Sequence, residues 1–368
     1  DNNSAGGDGG GAYVDGDLWA QHSSFNSNTS SSWGGGIWLT GTIQLDSSFV
    51  NLNVSGNHGG GIYGDGTMDI TFTEINDNSN EADGGGLWWG SGQITIERSD
   101  ISRNHAGRGG GVFILAENPI FQFDVISMND ATTIGGGLYI SKSGEASSTP
   151  ILFNSTVVYN TSAVLGSGLL CTSQTNPVVQ NSIFWGNLAA DGVQMHLQGA
   201  SEIFVTYCDV AGGESGIVGF DDIIFQNNID VYPDFVEIDA EDYQLLITSP
   251  CIDAGNPNAP YDPDGTVPDM GAYYFPQDGI PNIECPIETL DFGGVKVGES
   301  NMITLPIENA GLADLDISGV IVDPDAFATA DSSFTVNSMG VFQVNMSFTP
   351  SGEGIHNGSI TFLSNDPD

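Results

Sequence analysis

Three of the five cationic side chains, Arg98, Arg103 and Arg108, lie close together in the sequence. A polysaccharide lyase needs a base and nearby cations, because the enolate that forms beside a uronate carboxylate must be stabilised. Arg98 precedes a bend, Arg103 occupies a variable position of a repeat, and Arg108 interrupts a glycine turn. Their spacing therefore does not predict that the three side chains converge. Paired carboxylates for hydrolysis are easily found by chance among 47 acids, and Asp83 before Gly84 or Asp8 before Gly9 are only candidate members of such a pair. We therefore expect that the protein is not an enzyme. The alternative is that it is a polysaccharide lyase or a glycoside hydrolase.

Carboxylates dominate the chemistry of the chain, with 47 Asp and Glu against five Lys and Arg and a formal net charge of −42. Salt or divalent cations must screen such repulsion, and calcium is the predicted cofactor. Its candidate ligands are Asp262, Asp264 and Asp269 around the turn at Gly265, although a plain acidic turn explains this spacing equally well. The same charge excludes nucleic acid and anionic membrane surfaces as partners.

Aromatic residues recur at one position after a repeated glycine triplet. In these segments the flanking aliphatic residues alternate with the ring, so a strand would turn the aliphatics inward and the ring outward. The resulting outer stripe has two interpretations, a self-stacking ladder or a docking face for a glycan or another protein. Its members are Tyr13, Trp38, Tyr63, Trp88, Phe113 and Tyr139.

The elements that carry these residues repeat about every 25 positions. Each repeat contains a glycine triplet followed by an aliphatic residue, a short apolar run of period two, and an apolar residue three positions before an asparagine. Glycine permits tight corners, and asparagine combines tolerance of the left-handed region with a donor and an acceptor that can bond from one repeat to the next. Short strands with this period predict an all-β fold that begins with a parallel β-helix.

The repeats resemble those of chlamydial polymorphic outer-membrane proteins and of secreted right-handed β-helix proteins. Farther along, Ser249-Pro250-Cys251-Ile252-Asp253-Ala254-Gly255 resembles the closing segment of bacterial surface proteins of the choice-of-anchor Q type. Residues such as Leu290-Asp291-Phe292-Gly293 resemble an immunoglobulin-like module of the choice-of-anchor D or Hydin-related type. The resemblance implies a disulfide between Cys208 and Cys251, because a cysteine in the preceding strand often accompanies the Ser-Pro-Cys motif. Free buried thiols are the alternative.

Four segments follow from these patterns. We expect parallel β-helix coils over 1–210, a closing or cap segment over 211–275, a linker over 276–284 and an immunoglobulin-like β-sandwich over 285–368. The chain begins inside a repeat, and the similar modules continue one more strand, so we expect a fragment or a processed piece of a larger protein.

Composition and architecture together indicate a structural role. No apolar run approaches the length of a membrane span, and we expect a secreted or cell-surface protein of bacterial origin. Its expected function is adhesion or extracellular scaffolding by a β-helix stalk, through a protein partner or self-association into a surface layer or filament. A glycan-binding or polysaccharide-degrading protein is the alternative.

Overall fold

The computed structural model describes residues 1–116, 118–142, 147–173, 175–199, 202–220, 222–277, 279, 281–287, 289–323 and 326–366. The chain divides into two compact units, Asp1–Phe275 and Pro276–Asp368. The first is a right-handed parallel β-helix of about eight turns, and the second contains two antiparallel sheets. This architecture confirms the predicted fold class. In the part of the chain that the structure describes, no helix is long and apolar enough to cross a membrane.

The largest sheet of the first unit has 16 strands and carries the glycine-triplet segments and the apolar runs that follow them. In two coils these segments fuse into single strands, Ile37–Asp46 and Ile62–Thr71. The other strands are Ala12–Asp15, Leu18–Gln21, Leu87–Trp89, Ile94–Glu97, Val112–Ile114, Ile120–Gln122, Leu138–Ile140, Ile151–Phe153, Leu169–Thr172, Val178–Gln180, Met195–Gln198, Glu202–Thr206, Ile217–Val218 and Asp222–Gln226.

Two further walls close each coil. The five-stranded sheet consists of Asp100–Ser102, Val125–Ser127, Thr156–Val158, Ile183–Trp185 and Asp209–Val210. A short wall that the repeat pattern did not predict follows the asparagine corner, with strands Ser4–Ala5, Thr29–Ser30, Val54–Ser55, His105–Arg108, Asp130–Ile134 and Thr161–Ser162. Inward-facing aliphatic side chains from these walls form one continuous buried core along the stack.

An asparagine ladder runs through the coils, as the sequence predicts. The backbone N–H and the side-chain Nδ2 of Asn53 both donate to Asn78 Oδ1, each at 2.9 Å, and Asn78 repeats this arrangement with Asn104. The second Nδ2 hydrogen of Asn78 reaches the Val50 carbonyl at 2.7 Å, so the buried amide is fully used. The same bonds link Asn3, Asn28, Asn53, Asn78, Asn104, Asn129, Asn160 and Asn187, and the ladder ends on Gln194.

The left-handed bend lies one residue earlier than the sequence predicts. The ladder asparagines do not adopt positive φ, whereas the residues before them do, including Leu52 at 59° and Arg103 at 54°. The asparagine must direct its amide into the stack, so the adjoining variable position makes the corner. Non-glycine residues accept this conformation at a cost of about 1 kcal/mol each, which the buried ladder offsets.

At each position of a triplet, a different structural constraint requires glycine. In the second coil Gly34 has a φ of 62°, in the left-handed region. A Cβ on Gly35 would lie 2.3 Å from the Gly60 carbonyl oxygen, and one on Gly36 would lie 2.9 Å from Asn53 Nδ2. The triplet therefore combines a corner with two positions where the next coil or the ladder comes too close for a side chain.

The segment after residue 210 differs from the predicted cap. Ile217–Val218 and Asp222–Gln226 pair in parallel with the preceding coil, so the stack continues past 210. Residues 231–275, here called the strap, then fold back and pack on the outer surface of the five-stranded sheet instead of over the end of the stack. The strap contains an antiparallel pair, Phe235–Glu237 and Asp242–Leu245, and the 3₁₀ helix Ile238–Ala240, and a second 3₁₀ helix, Gly213–Gly216, precedes it.

The second unit contains a four-stranded and a three-stranded antiparallel sheet around its own buried cluster. The strands Asn301–Asn309 and Val341–Phe348 confirm the two alternating runs seen in the sequence. Its first strand, Ile283–Glu284, lies inside the segment predicted as linker. The remaining strands are Leu315–Asp323, Phe327–Thr329, Phe334–Val336 and Ser359–Ser364.

Candidate functional site

The six repeat aromatics stand in one column, called here the aromatic column. Strand register aligns them in consecutive coils, from Tyr13 beside Trp38 to Phe113 beside Tyr139. The ring centroids of Tyr13 and Trp38 are 4.3 Å apart with an interplanar angle of 2°, and those of Phe113 and Tyr139 are 4.5 Å apart at 7°. The rings of Tyr63 and Trp88 are stacked with centroids 4.4 Å apart, whereas those of Trp88 and Phe113 are parallel but 6.3 Å apart.

Only part of the aromatic column is open to solvent, in contrast to the predicted outer stripe. Tyr13 is 59% exposed, whereas Phe113 is 3% exposed and Tyr139 9%. The rings point away from the coil interior, but side chains from the corner before the glycine triplet fold over them. Trp33 stacks on Tyr63 with centroids 5.0 Å apart, and the Arg108 guanidinium lies 5.1 Å from the centre of the Phe113 ring.

This geometry decides how the aromatic column can act. Within the three closely stacked pairs, the rings of neighbouring coils cover each other's faces and leave mainly edges for other contacts. A sugar ring binds an aromatic platform through an open face, so the stacked part of the column suits self-stacking better than glycan binding. The column can still contribute edges and exposed area at Tyr13 to a protein contact.

A charged trio lies beside the aromatic column. Arg108 donates from Nε and a terminal nitrogen to the two oxygens of Asp83, at 2.6 and 2.8 Å, and His58 Nδ1 lies 3.3 Å from the same carboxylate. Burial acts to raise the pKa of Asp83, but hydrogen bonds from His58 and Arg108 and their charges hold it below its usual value. The Arg108–Asp83 ion pair joins two neighbouring coils, and the contact of His58 with Asp83 adds a third.

The other two arginines of the candidate lyase set lie elsewhere. Arg98 packs on the rings of Phe72 and Phe123 and pairs with Glu97. Arg103 binds both oxygens of Asp77 at 3.0 Å and also pairs with Glu241 of the strap. Each of the three guanidiniums therefore has its own carboxylate partner at a different place on the coils, as their sequence positions suggested.

The predicted calcium ligands serve the strap's own turns. The two oxygens of Asp269 accept the backbone N–H groups of Asp253 and Phe275, at 2.7 and 2.6 Å. Asp262 accepts the N–H of Asp269, and Asp264 accepts that of Thr266. Over the described ranges no group of three His, Cys, Asp or Glu side chains could hold a metal ion, so this turn does not fit a complete ligand set. Calcium stays a prediction.

The predicted disulfide between Cys208 and Cys251 is wrong, because both residues are free thiols. Cys208 points into the coil interior and donates towards the Val179 and Thr206 carbonyls, whereas Cys251 belongs to the cluster under the strap. The sheet wall separates the two environments. Burial raises the pKa of Cys208 to about 12 and that of Cys251 well above its ordinary value, which keeps both thiols protonated and unreactive. Cys171 is buried and Cys285 exposed, and both are also free.

The contact between strap and coils was missed by the sequence patterns. One outward-facing register column of the five-stranded sheet reads Asp100, Val125, Thr156, Ile183 and Asp209. Its central members and Asp209 are buried beneath strap residues that include Phe235, Tyr243, Leu245 and Met270. The signal was available in the sequence, because the outward position turns apolar at Val125 and Ile183.

Two acids mark the ends of this covered column. Burial is the main cause that raises the pKa of Asp100 to about 6 and that of Asp209 to about 7. Asp209 Oδ1 accepts the Val231 N–H at 3.2 Å, and Cys251 Sγ lies 3.5 Å from Oδ2. The covered column is thus apolar in its middle and acidic at both ends.

A groove of about 540 Å³ opens on another part of the coil surface. It forms where the corner between the two main strand segments widens, and its lining includes Ser91, Gln93, Thr95, Leu115 and Asn118. Among the described residues that line it, none has an ionisable side chain or an aromatic ring.

Comparison with known families agrees with this architecture. Residues 35–193 match the family described as "Right handed beta helix region", and residues 280–367 match the family described as "Abnormal spindle-like microcephaly-assoc'd, ASPM-SPD-2-Hydin". No curated protein and no solved structure matches the chain. A β-helix serves enzymes and non-enzymes alike, so the match does not decide catalysis. The chain is similar to right-handed β-helix proteins over its coils and to Hydin-related immunoglobulin-like modules over its second unit.

Proposed function

We propose that this is a secreted or cell-surface structural protein of bacterial origin, in which the β-helix is a stalk for attachment or for assembly into a surface layer or filament. The observation that carries the proposal is the asparagine ladder, which links coils from Asn3 to Gln194 through buried hydrogen bonds. Such a ladder makes neighbouring coils support one another and suits a stiff spacer.

The state of the ionisable side chains supports a role without catalysis. Arg98, Arg103 and Arg108 each have a carboxylate partner, as do His105 with Asp130 and His196 with Asp191, both at 2.8 Å. Groups held in this way are poor candidates for a base or an enolate-stabilising cation. We therefore propose that the protein is not an enzyme.

A surface-attachment assay tests the proposal. Beads coated with the full chain should bind cells or a cell-surface extract more than beads coated with an equally acidic control protein, and electron microscopy of the pure chain should show ordered polymers if self-association is the mode. Release of reducing sugars or unsaturated products from a polysaccharide panel is expected to stay at background. Sugar release together with no attachment and no polymer would overturn the proposal in favour of a polysaccharide-degrading protein.

A further inference from the structure

Hydrogen bonds, ring contacts and an apolar cluster hold the strap on the coils, and one of these bonds runs from Asn154 Nδ2 to the Asp269 carbonyl at 3.0 Å. The backbone N–H groups of Gly271 and Ala272 donate to Asn181 O at 2.7 Å and to Thr156 Oγ1 at 3.0 Å. Asn181 Oδ1 also accepts the Asn256 N–H at 2.8 Å. The apolar contact joins Val125, Val158 and Ile183 of the coils to the strap cluster. These contacts are local to one face, so they can break without opening the coils.

Charge opposes this docking. The strap contains nine Asp and Glu residues and no Lys, Arg or His, and it lies on a stack that is itself strongly acidic. An ion pair between Arg103 and Glu241 joins the two surfaces, but Arg103 is already shared with Asp77 on the coils. Like charges at close range destabilise the closed arrangement whenever they are ionised and poorly hydrated.

Two carboxylates of the coils, Asp100 and Asp209, lie at the two ends of the covered column and contact the strap. Asp100 faces Glu74 and Arg103 on the coils and Tyr243 and Tyr273 on the strap. Its Oδ1 is buried and has no hydrogen-bond partner among the described residues. Asp209 faces Asp230 at the end of the coils and Cys251 on the strap, and it is fully buried. Neither carboxylate faces a neighbouring cation other than Arg103 in these interactions.

We propose that the strap is a proton-operated clasp, closed on the coils while Asp100 and Asp209 are neutral and increasingly open as they ionise. Opening hydrates both carboxylates and separates the acidic strap from the acidic coils, at the cost of exposing Val125, Val158 and Ile183. Because the closed state binds more protons than the open one, acid favours closure, and the advantage is lost as the pH rises from about 4 to about 7. An acidic surface environment would thus seal this face, and a neutral one would uncover an apolar strip.

Hydrogen exchange of the full chain at pH 5 and pH 8 tests the clasp. The amides of Gly271 and Ala272 report on the strap, and those of Ile37 and Ile62, which bond to the Gly61 and Gly86 carbonyls, report on the coils. After correction for intrinsic rates, strap protection should fall at least about tenfold between the two pH values while coil protection holds. Equal strap protection at both pH values would overturn the proposal.

Matched variants assign the effect to the two carboxylates. Asp100→Asn with Asp209→Asn should remove most of the pH response, whereas Asp239→Asn, at an exposed strap position, should keep it. If the double variant does not fold, each single variant is measured, and each should weaken the response. A full wild-type response in variants that lack either carboxylate would also contradict the clasp.

Discussion

At the scale of single residues, Asn78 shows why one position in each coil favours asparagine. Its Oδ1 accepts two hydrogen bonds from Asn53, and its Nδ2 donates to Asn104 and to the Val50 carbonyl. All of these groups are buried in the wall of the stack. Each ladder position therefore satisfies polar groups of two neighbouring coils as well as its own.

Replacing Asn78 by alanine should cost about 3 kcal/mol of unfolding free energy, because the Asn53 donors and the Val50 carbonyl lose their partner inside the wall. Urea unfolding followed by circular dichroism measures this loss. The control is Asn258→Ala at an exposed strap position, which should change stability by less than about 0.5 kcal/mol. Equal stability of the two variants would contradict the role of the ladder.

The ladder and the aromatic column could be predicted from the sequence because a fixed period brings equivalent residues together. The bend could not be placed to the residue, since asparagine is compatible both with a ladder and with a left-handed corner. Residues such as Leu52 and Arg103 take the corner although their types do not favour it. The burial of Phe113 and Tyr139 was also missed, because it depends on side chains folded over them from the preceding corner.

At the scale of a single coil, side-chain volume is shared between neighbours. The interior position that Leu39 fills in one coil is Gly64 in the next and Trp89 in the one after, in strand register. A Cβ on Gly64 would lie 2.4 Å from the Trp89 ring, and the indole Nε1 donates to the Gly66 carbonyl at 3.1 Å. The large ring thus occupies the space that the glycine leaves, which keeps the core dense.

This pairing predicts a coupled effect of two substitutions. Gly64→Ala should cost about 2 kcal/mol through overpacking, and Trp89→Leu about 3 kcal/mol through a cavity and the lost hydrogen bond. The double variant should be more stable than the sum of the two losses by at least about 1 kcal/mol, because the smaller side chain leaves room for the added methyl group. Unfolding free energies of all four proteins check this. Strict additivity would show that the two positions do not share volume.

The strap could be predicted only in part. Its Ser-Pro-Cys segment was recognised by resemblance, but its place beside the stack depends on an outward column that changes from polar to apolar after Asp100. The disulfide was wrong for a related reason, since Cys208 and Cys251 approach the sheet from opposite sides. Sequence spacing gives no information on which side of a wall a distant segment packs.

At the scale of the whole molecule, the net charge of −42 sets the response to ions. Repulsion among surface carboxylates lowers stability at low ionic strength, and salt screens it. The melting temperature should therefore rise by about 5 °C or more between 20 mM and 1 M NaCl. Calorimetry measures the shift, and an unchanged melting temperature would show that the carboxylates are far enough apart to be hydrated independently.

Calcium can be separated from general screening by comparison at matched ionic strength. If the turn at Asp262, Asp264 and Asp269 binds the ion, CaCl₂ should raise the melting temperature above the NaCl value, and Asp264→Asn should abolish the difference. The exposed control Asp239→Asn should retain it. Identical melting curves in both salts would remove calcium as a specific cofactor and leave screening alone.

The distance between Gln44 and Ile224 tests the stack most directly. Strand register connects these positions by seven successive coil-to-coil steps although 180 residues separate them. With a spacing of about 4.8 Å per step, spin labels at both positions in a Cys285→Ser background should be about 34 Å apart with a narrow distribution. Pulsed electron spin resonance measures this distance. A broad distribution of distances, or a mean distance that differs from about 34 Å by more than the length of the labels, would contradict the columnar stack.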